Sequence, residues 1–466
     1  MSGILADRYA SKEMREIWSK EQKILLEREL WIAIMRVQRN LGFSIEDDVV
    51  ASYEQVKNKI DITSINAREK ILKHDVKARI EEFNALSGHQ SIHIGMTSRD
   101  LTENIELFQM RKSLKLVEFK SLAFLQKLGV AINSYIDLPI VARTHNVPAQ
   151  MTTLGRRFAT WAEELIFSIE HLQNLVDRLP LRGIKGAVGT QQDAIDLIGA
   201  QTSALDGEIA QLFGFESVAK ASSQIYPRSY DYEVLTCLVQ VSAAATNMST
   251  NIRLMSGHGL VNEGFRRNQV GSSAMPHKVN SRSSERINAL GVILKGYSTM
   301  VSEVSGNQWN EGDVSCSVVR RVALPDAFFT IDAILDTAID VIQNLVVNER
   351  VISKELEANL PFVLSSKILM KSIENGIGRE EAHAVIRKHA LSASINLSDQ
   401  GVNNFFDLIA QDPNLGVNDE YLQDLLTNPL RHSGNAQKQA RDIFSRIVTL
   451  CGNSKEIPAY IPEEPI

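Results

Sequence analysis

The sequence contains few cysteines, few prolines and few aromatic residues, and it has no apolar run long enough to cross a bilayer. Its three cysteines, Cys237, Cys316 and Cys451, lie far apart, so we expect no disulfide framework and a reducing, cytoplasmic location. The first residues lack the apolar core of a secretory signal. Twelve prolines in 466 residues favour long, uninterrupted helices.

The chain also has no excess of positive charge. It contains 50 Lys and Arg residues against 56 Asp and Glu residues, which gives a formal net charge of −6. A general nucleic-acid-binding protein needs clustered Lys and Arg, so we do not expect that class. A local cationic pocket for an acidic small molecule remains compatible with this balance.

Apolar residues recur at helical spacing through most of the chain, and this pattern predicts an all-α protein. The length is sufficient for two or three domains. The long helices are predicted at about 101–134, 154–179, 231–255, 283–305 and 326–347.

One stretch, residues 267–280, differs from the helical patterns on both sides of it. Gly271 frees the backbone, and Pro276 prevents a helix from running through the stretch. A loop held between rigid helices is a common position for reactive groups. Ser272 is a weak base by itself, but a nearby ammonium such as that of Lys278, together with backbone N–H groups, would stabilise its alkoxide. The alternative interpretation is a serine-rich surface linker.

The segment Gly271-Ser272-Ser273-Ala274-Met275-Pro276-His277-Lys278-Val279-Asn280 resembles the signature loop of the fumarase/aspartase superfamily. Members of that superfamily are tetrameric lyases that release fumarate. They usually have proline after the asparagine, where this chain has Ser281, and the exchange loosens the far end of the loop without removing a reactive group. Two further segments follow the superfamily pattern, so the resemblance covers nearly the whole chain.

The stretch from His93 to Asp100 is similar to the second superfamily segment, in the form found in the adenylosuccinate lyase family. Small hydroxyl groups and a histidine in a glycine-flanked turn suit carboxylate or phosphate oxygens. His89 and His93 stand at the spacing of a metal pair on a helix. Gly88 and Gly95 argue against a helix there, and no third ligand is evident, so we expect no metal.

The stretch from Thr144 to Gln150 is similar to the first superfamily segment. Its histidine, His145, can be charged or neutral near pH 7, as general-acid catalysis requires. A single histidine is more often structural, but within this motif we favour a catalytic role. Glu285 stands where the superfamily has a glutamate that orients the histidine, although the helix dipole also favours an acidic residue in a first turn.

The resemblance implies the roles of these residues. Ser272 removes a proton from the carbon next to a carboxylate, and Lys278 and Asn280 stabilise the anion that forms. His145, oriented by Glu285, protonates the departing nitrogen. No metal or organic cofactor is needed.

The same resemblance implies substrate-binding residues along most of the chain. Ser317 and Arg321 correspond to phosphate-binding positions, whereas Gly312 stands where many members have arginine, and Arg320 is a candidate replacement. The complete set comprises Arg8, Tyr9, Lys73, His74, Asp75, His93, Thr97, Ser98, Gln150, Gln224, Ser273, Met275, Asn280, Ser317 and Arg321.

These motifs identify the chain as a member of the adenylosuccinate lyase family. The resemblance implies anti elimination of fumarate from adenylosuccinate, giving AMP, and from succinylaminoimidazole carboxamide ribotide, giving AICAR. It also implies three helical domains, at 1–97, 98–348 and 349–466, with a long-helix bundle in the middle one that forms the core of a homotetramer. Each active site of this tetramer would take segments from three subunits. The charge balance and the lack of a long apolar run predict no nucleic-acid and no membrane partner. One alternative is another fumarate-releasing lyase, such as an argininosuccinate lyase, or a carboxymuconate cycloisomerase-like enzyme. The other alternative is a non-catalytic structural relative. The presence of Ser272, His145 and Lys278 argues against this alternative.

Overall fold

The computed structural model describes residues 3–264, 274, 275, 277–452 and 454–463 of the chain. Almost all of the described secondary structure is helical, which confirms the predicted all-α class. No helix within these ranges is long and apolar enough to cross a membrane. The predicted site residues Ser272 and Ser273 lie outside the described ranges.

Short and medium helices form the N-terminal part. They are α1 (Ile4–Arg8), α2 (Lys12–Ile17), α3 (Lys20–Asn40), α4 (Asp47–Val56), α5 (Ile62–Leu72) and α6 (Asp75–Ser87). The side chains of Ser11 and Ser19 accept backbone N–H bonds at the starts of α2 and α3, which satisfies donors that a helix leaves unpaired. Trp31, Tyr53 and Phe83 pack their rings together in the core between α3, α4 and α6.

Long helices form the central bundle, with two shorter ones between them. They are α7 (Ser98–Ser134), α8 (Leu154–Arg178), α9 (Gln192–Ile198), α10 (Thr202–Leu212), α11 (Ser229–Gly257), α12 (Arg282–Val304) and α13 (Ser315–Gln343). Small residues allow α11 and α12 to approach closely. A Cβ added to Gly291 on α12 would lie 3.1 Å from the Thr246 Oγ1 on α11. Each fully buried leucine or isoleucine in this core stabilises the fold by roughly 1.5–3 kcal/mol.

Helix α13 begins at Ser315, well before the predicted start at residue 326, and Pro325 lies inside it. A proline inside a helix removes a backbone hydrogen bond and costs about 3 kcal/mol. Here Ala323, Ala327 and Phe328 are buried, and α13 packs against α7, α11 and α12. Tertiary packing therefore offsets a local preference that favours a helix boundary.

The structure contains a β-hairpin that the helical patterns do not predict. Strand β1 (Pro139–Thr144) pairs antiparallel with β2 (Val147–Thr153), and β3 (Val261–Asn262) pairs with β4 (Val346–Val347). Val141 and Met151 point into an apolar cluster formed mostly by C-terminal helices. The hairpin therefore projects from the bundle towards the last part of the chain.

The C-terminal helices are α14 (Glu349–Val363), α15 (Ser365–Glu374), α16 (Arg379–Gln400), α17 (Phe405–Ala410), α18 (Asp419–Thr427), α19 (Ala436–Cys451) and α20 (Glu456–Ala459). Helices α14 to α18 surround an apolar cluster that includes Leu360, Ile368 and Phe405. Helices α19 and α20 return to pack on α7. The three-domain division stays a prediction, and α7 and α14 begin at its two boundaries.

Candidate active site

A cavity of about 470 Å³ lies where the starts of α6, α7 and α13 meet, and we call it the basic cavity. It brings together predicted substrate-binding residues from three distant parts of the sequence. They are Lys73, His74, Asp75, Ser98, Ser317 and Arg321.

The lining of the basic cavity carries more positive than negative charge. Five basic side chains face three carboxylates, although the whole chain has a net charge of −6. The lining is therefore more basic than the chain as a whole, which is the composition expected around an anion. The basic residues are Lys23, Lys73, Arg99, Arg320 and Arg321, and the acidic ones are Glu69, Asp75 and Glu106.

The joint between α5 and α6 orients one wall of this cavity. Lys73 has a φ of +54°, in the left-handed region, and ends α5. The Lys77 N–H donates to His74 Nδ1 at 3.2 Å, so the imidazole caps α6. Burial alone would raise the pKa of Asp75, but Arg79 stabilises the carboxylate and holds this pKa below its ordinary value.

Asp100, which ends the second superfamily segment, has a structural role. The Thr97 N–H donates to its buried carboxylate at 2.8 Å, where α7 begins. Arg182 Nη1 and the Lys185 N–H donate to the same carboxylate at 2.6 and 2.8 Å. The segment is thus fixed to the glycine-rich turn that contains these two residues. This arrangement places Ser98 at the N-terminus of α7, where unpaired N–H groups and the helix dipole favour an anion.

Arg99 is absent from the predicted set, yet it lines the basic cavity. Its Nη2 donates to Ser317 Oγ at 3.0 Å, and its Nη1 donates to Glu103 at 3.1 Å. Because Ser317 accepts this bond, its own hydroxyl proton can be donated to a ligand. An arginine inside the second segment was a visible sequence signal. The sequence alone could not show the role of this arginine, because that role depends on α13 packing beside α7.

Arg320, the candidate replacement for the cation that is missing at Gly312, is held by buried carboxylates. Its guanidinium is 3% exposed, with Nε 2.7 Å from Asp231 and Nη1 2.8 Å from Glu106. Burial would raise the pKa of Glu106, but Arg320 and Lys23 outweigh it and lower this pKa to about 2. The charge of Arg320 is therefore balanced by buried carboxylates, and its contact with phosphate stays a prediction. Gly312 has a φ of +147°, a conformation in which an arginine would be strained.

A second cavity, of about 520 Å³, lies beside the start of α12, and we call it the α12 cavity. Two of the predicted residues, Asn280 and Glu285, line it together with Arg253 of α11. The carboxylate of Glu263 accepts the Ser284 N–H at 2.7 Å and so caps α12. This cap fixes the direction in which α12 presents Glu285.

The described part of the signature loop adjoins this cavity. The Lys278 N–H donates to the Met275 carbonyl at 3.0 Å, and both side chains are exposed. The Glu285 N–H donates to the Ser281 carbonyl at 3.0 Å, so Ser281 occupies the N-cap of α12. A serine in place of the usual proline is therefore compatible with a helix start at this point.

His145 lies at the exposed tip of the β1–β2 hairpin. His145 and Asn146 have φ values of +52° and +63° and form the two-residue turn between the strands. Gln150 is exposed further along β2. Arg143 pairs with Glu355 of α14, so the C-terminal helices hold the hairpin. Of the residues described in this chain, neither His145 nor Gln150 lines the basic cavity or the α12 cavity.

Arg8 and Tyr9 lie at the end of α1, beside α12. The guanidinium of Arg286 on α12 lies 5.7 Å from the centre of the Tyr9 ring. The guanidinium of Arg8 lies 5.9 Å from the same ring centre. Burial lowers the pKa of Arg286. These two predicted residues are therefore associated with the helix that carries Glu285, outside the lining of the basic cavity.

The last two predicted residues lie in loops. The Gln224 N–H donates to the Glu311 carbonyl at 2.9 Å, which joins the loop before α11 to the loop before α13. His93 is half-buried in the loop before α7 and has a φ of +66°.

In the described residues, no group of three or more His, Cys, Asp or Glu side chains could hold a metal ion.

Two family models match the chain, one described as Lyase over residues 8–294 and one described as Adenylosuccinate lyase C-terminus over residues 361–443. A fumarate lyase from Mesorhizobium sp. BNC1 has a similar structure, with a TM-score of 0.82 at 20% identity over 94% of this chain and 98% of that one. A 3-carboxy-cis,cis-muconate lactonizing enzyme from Pseudomonas putida has a TM-score of 0.83 at 18% identity, over 97% of this chain and 100% of that one. The helical fold and the Lyase match define the class as a lyase.

Relatives of higher identity narrow the class further. The adenylosuccinate lyase of Saccharomyces cerevisiae is 32% identical over 95% of this chain and 94% of its own length. The adenylosuccinate lyase of Schistosoma mansoni is 35% identical over 86% of this chain and 85% of its own length. The chain belongs to the adenylosuccinate lyase family.

Proposed function

We propose that the chain eliminates fumarate from two succinylated purine nucleotides. These are adenylosuccinate, which gives AMP, and succinylaminoimidazole carboxamide ribotide, which gives AICAR. Family membership and the names of the relatives support the first substrate. The structural observation that supports a nucleotide substrate is the basic cavity, where five basic side chains and three carboxylates meet in an acidic chain.

The phosphate group is assigned to the basic cavity. A phosphate monoester carries about 1.5 to 2 negative charges near neutral pH, which a surplus of basic groups would balance. Arg99 and Arg321 donate to its oxygens, and the Ser317 hydroxyl, which already accepts a bond from Arg99, donates its proton. Ser98 contributes from the N-terminus of α7. Lys73, His74 and Asp75 face the rest of the nucleotide.

The elimination itself is assigned to the signature loop and the α12 cavity. Ser272, as an alkoxide, removes a proton from the carbon next to a carboxylate. The electron pair of that C–H bond forms the double bond of fumarate while the carbon–nitrogen bond breaks, and His145 gives a proton to the departing nitrogen. Lys278 and Asn280 stabilise the negative charge that develops on the carboxylate. This assignment is supported by the lining of the α12 cavity, which includes both Asn280 and Glu285.

We infer a homotetramer whose active sites are shared between subunits. His145 lies on an exposed hairpin, and within the described residues it lines neither cavity of its own chain. A neighbouring subunit would bring the hairpin to the α12 cavity. Exposed apolar side chains on the bundle helices support subunit packing, because such patches usually mark interfaces. They include Leu254, Val292, Ile293, Met300, Val318 and Val322.

We place the reaction in the cytoplasm. Cys237, Cys316 and Cys451 are unpaired, which fits a reducing compartment. Burial raises the pKa of Cys237 to about 12, so this thiol stays protonated and unreactive.

A direct assay tests the proposal. Purified protein is incubated separately with adenylosuccinate and with argininosuccinate, and fumarate release is measured by its ultraviolet absorbance. We expect release from adenylosuccinate alone. Release from argininosuccinate would assign the chain to another lyase activity of the same fold, and release from neither would indicate a non-catalytic relative.

A further inference from the structure

Trp31 and His93 form a hydrogen bond whose direction defines the protonation of the imidazole. The Trp31 Nε1 lies 3.1 Å from the His93 Nδ1, and the two rings meet edge to face at 82°. An indole nitrogen can only donate a hydrogen bond. The His93 Nδ1 must therefore present its lone pair, and the ring proton must reside on Nε2.

The loop around His93 is held in a strained conformation. Its φ of +66° lies in the left-handed region, which residues other than glycine adopt with strain. The loop packs closely against α9 at Gly95, where an added Cβ would lie 2.6 Å from the Leu197 Cδ1. The Gln38 side chain donates to the Ile94 carbonyl at 3.1 Å. Strain maintained by several contacts is typical of functional sites.

Burial keeps the His93 ring neutral near pH 7. Burial lowers the pKa of His93 to about 4, and His74 and Lys77 on α6 act in the same direction. Asp100 on α7 opposes them without reversing the shift. The Nε2–H has no hydrogen-bond partner among the described residues. A half-buried donor of this kind, close to His74 of the basic cavity, is available to a ligand.

We propose that Trp31 is a positioning residue that holds neutral His93 with its proton on Nε2. In this state His93 donates a hydrogen bond to an anionic oxygen of the substrate and neither accepts nor releases a proton during the reaction. The contact with substrate rests on the proposed function, whereas the protonation state of the free protein does not.

Nitrogen NMR of the 15N-histidine-labelled protein tests the protonation state directly. The His93 signals are assigned by their loss in His93→Gln. In the wild type we expect a protonated Nε2 and an unprotonated Nδ1 with no titration between pH 5.5 and 8. Trp31→Phe should expose the Nδ1 lone pair and move the titration of His93 towards its ordinary range.

Trp18→Phe is the matched control, because it removes an indole N–H that donates to Ser113. A proton on Nδ1 in the wild type would overturn the proposal, whatever the activity of the protein.

A double-mutant cycle tests the route by which Trp31 acts. Trp31→Phe should raise the KM for adenylosuccinate by about 2- to 10-fold, the range for one lost neutral hydrogen bond, with a smaller change in kcat. In a His93→Gln background the same substitution should add less than about 2-fold. Equal effects in both backgrounds would mean that Trp31 supports only the core, and the positioning role would be rejected.

Discussion

At the scale of single residues, Ser272 and Ser273 are adjacent hydroxyls, and only Ser272 is the base in our proposal. We expect Ser272→Ala to lower kcat by at least about 100-fold, because a positioned base contributes 10²- to 10⁴-fold to proton transfer. Substrate binding, measured by calorimetry, should change little. Ser273→Ala provides the comparison. A loss of turnover in Ser273→Ala with near-normal turnover in Ser272→Ala would assign the base to the other serine.

Arg321 offers a test of the phosphate assignment. It lines the basic cavity with a side chain that is 71% exposed, and its nearest described carboxylate, on Asp75, is 3.8 Å away. Loss of a charge-assisted hydrogen bond costs about 1.5–3 kcal/mol, or roughly 10- to more than 100-fold in affinity. Arg321→Ala should therefore raise the KM for adenylosuccinate at least about tenfold and weaken inhibition by AMP.

The matching substrate for this test is succinyladenosine, which lacks the phosphate. Its turnover should be nearly the same in wild type and Arg321→Ala. A second control is Arg379→Ala, which removes an exposed arginine that pairs with Glu380 in the C-terminal part. Equal losses on both substrates would show that Arg321 supports the fold or the succinyl end.

At the scale of elements, the hairpin turn determines where His145 is presented. Asn146 has a φ of +63°, which a β-branched residue tolerates poorly. We expect Asn146→Val to strain the turn by about 1–2 kcal/mol and to lower kcat with little effect on the circular dichroism of the whole protein. Asn146→Gly accepts the same backbone angle and should retain near wild-type kcat. If both variants turn over equally, the geometry of the turn is not important for His145.

Helices α7 and α13 are joined by a buried ion-pair cluster. Lys120 lies 2.5 Å from Asp332 and 2.7 Å from Asp336, and all three are buried. Lys120→Met would leave two uncompensated carboxylates in the core and should lower the free energy of unfolding by about 3–5 kcal/mol in urea titrations. Lys127→Met, at a partly exposed position of the same helix where the ammonium only donates to the Pro458 carbonyl, should stay within about 1 kcal/mol of wild type.

The loss in the free energy of unfolding caused by Lys120→Met should depend on pH. Burial raises the pKa of Asp336 to about 6 in the wild type, above its value in the unfolded chain. A raised pKa means that the folded state binds the proton more tightly, so stability from this group is lost as pH rises from about 4 to 6. Without Lys120 the carboxyl group of Asp336 is harder still to ionise. The loss in Lys120→Met should therefore be larger at pH 8 than at pH 5, and an equal loss would indicate a packing defect.

At the scale of the whole molecule, the separation of His145 from the cavities of its own chain can be tested by mixing. His145→Ala and Ser272→Ala proteins should each be inactive. After joint unfolding and reassembly, activity should return to at most about a quarter of wild type, the share of sites that receive both intact segments. If mixed tetramers form without recovery, each active site is built within one chain.

Much of the helical architecture could be predicted because helices depend on local patterns. The predicted helix at 101–134 corresponds to α7, and those at 154–179 and 231–255 correspond to α8 and α11. The predictions failed where tertiary contacts outweigh local preference. Helix α13 continues through Pro325 because its sides are buried, and the β1–β2 hairpin forms because Val141 and Met151 pack on the C-terminal helices.

For the candidate site, the sequence by itself determined the family, the all-α class and the residue types available for chemistry, because motifs and periodicity are written in neighbouring positions. Only the tertiary structure decided which of these residues meet. It placed Arg99 against Ser317, balanced Arg320 with Glu106 and Asp231, and hydrogen-bonded Trp31 to His93. These relations join positions far apart in the chain. They depend on how helices pack and which charges become buried, and no local pattern contains that information.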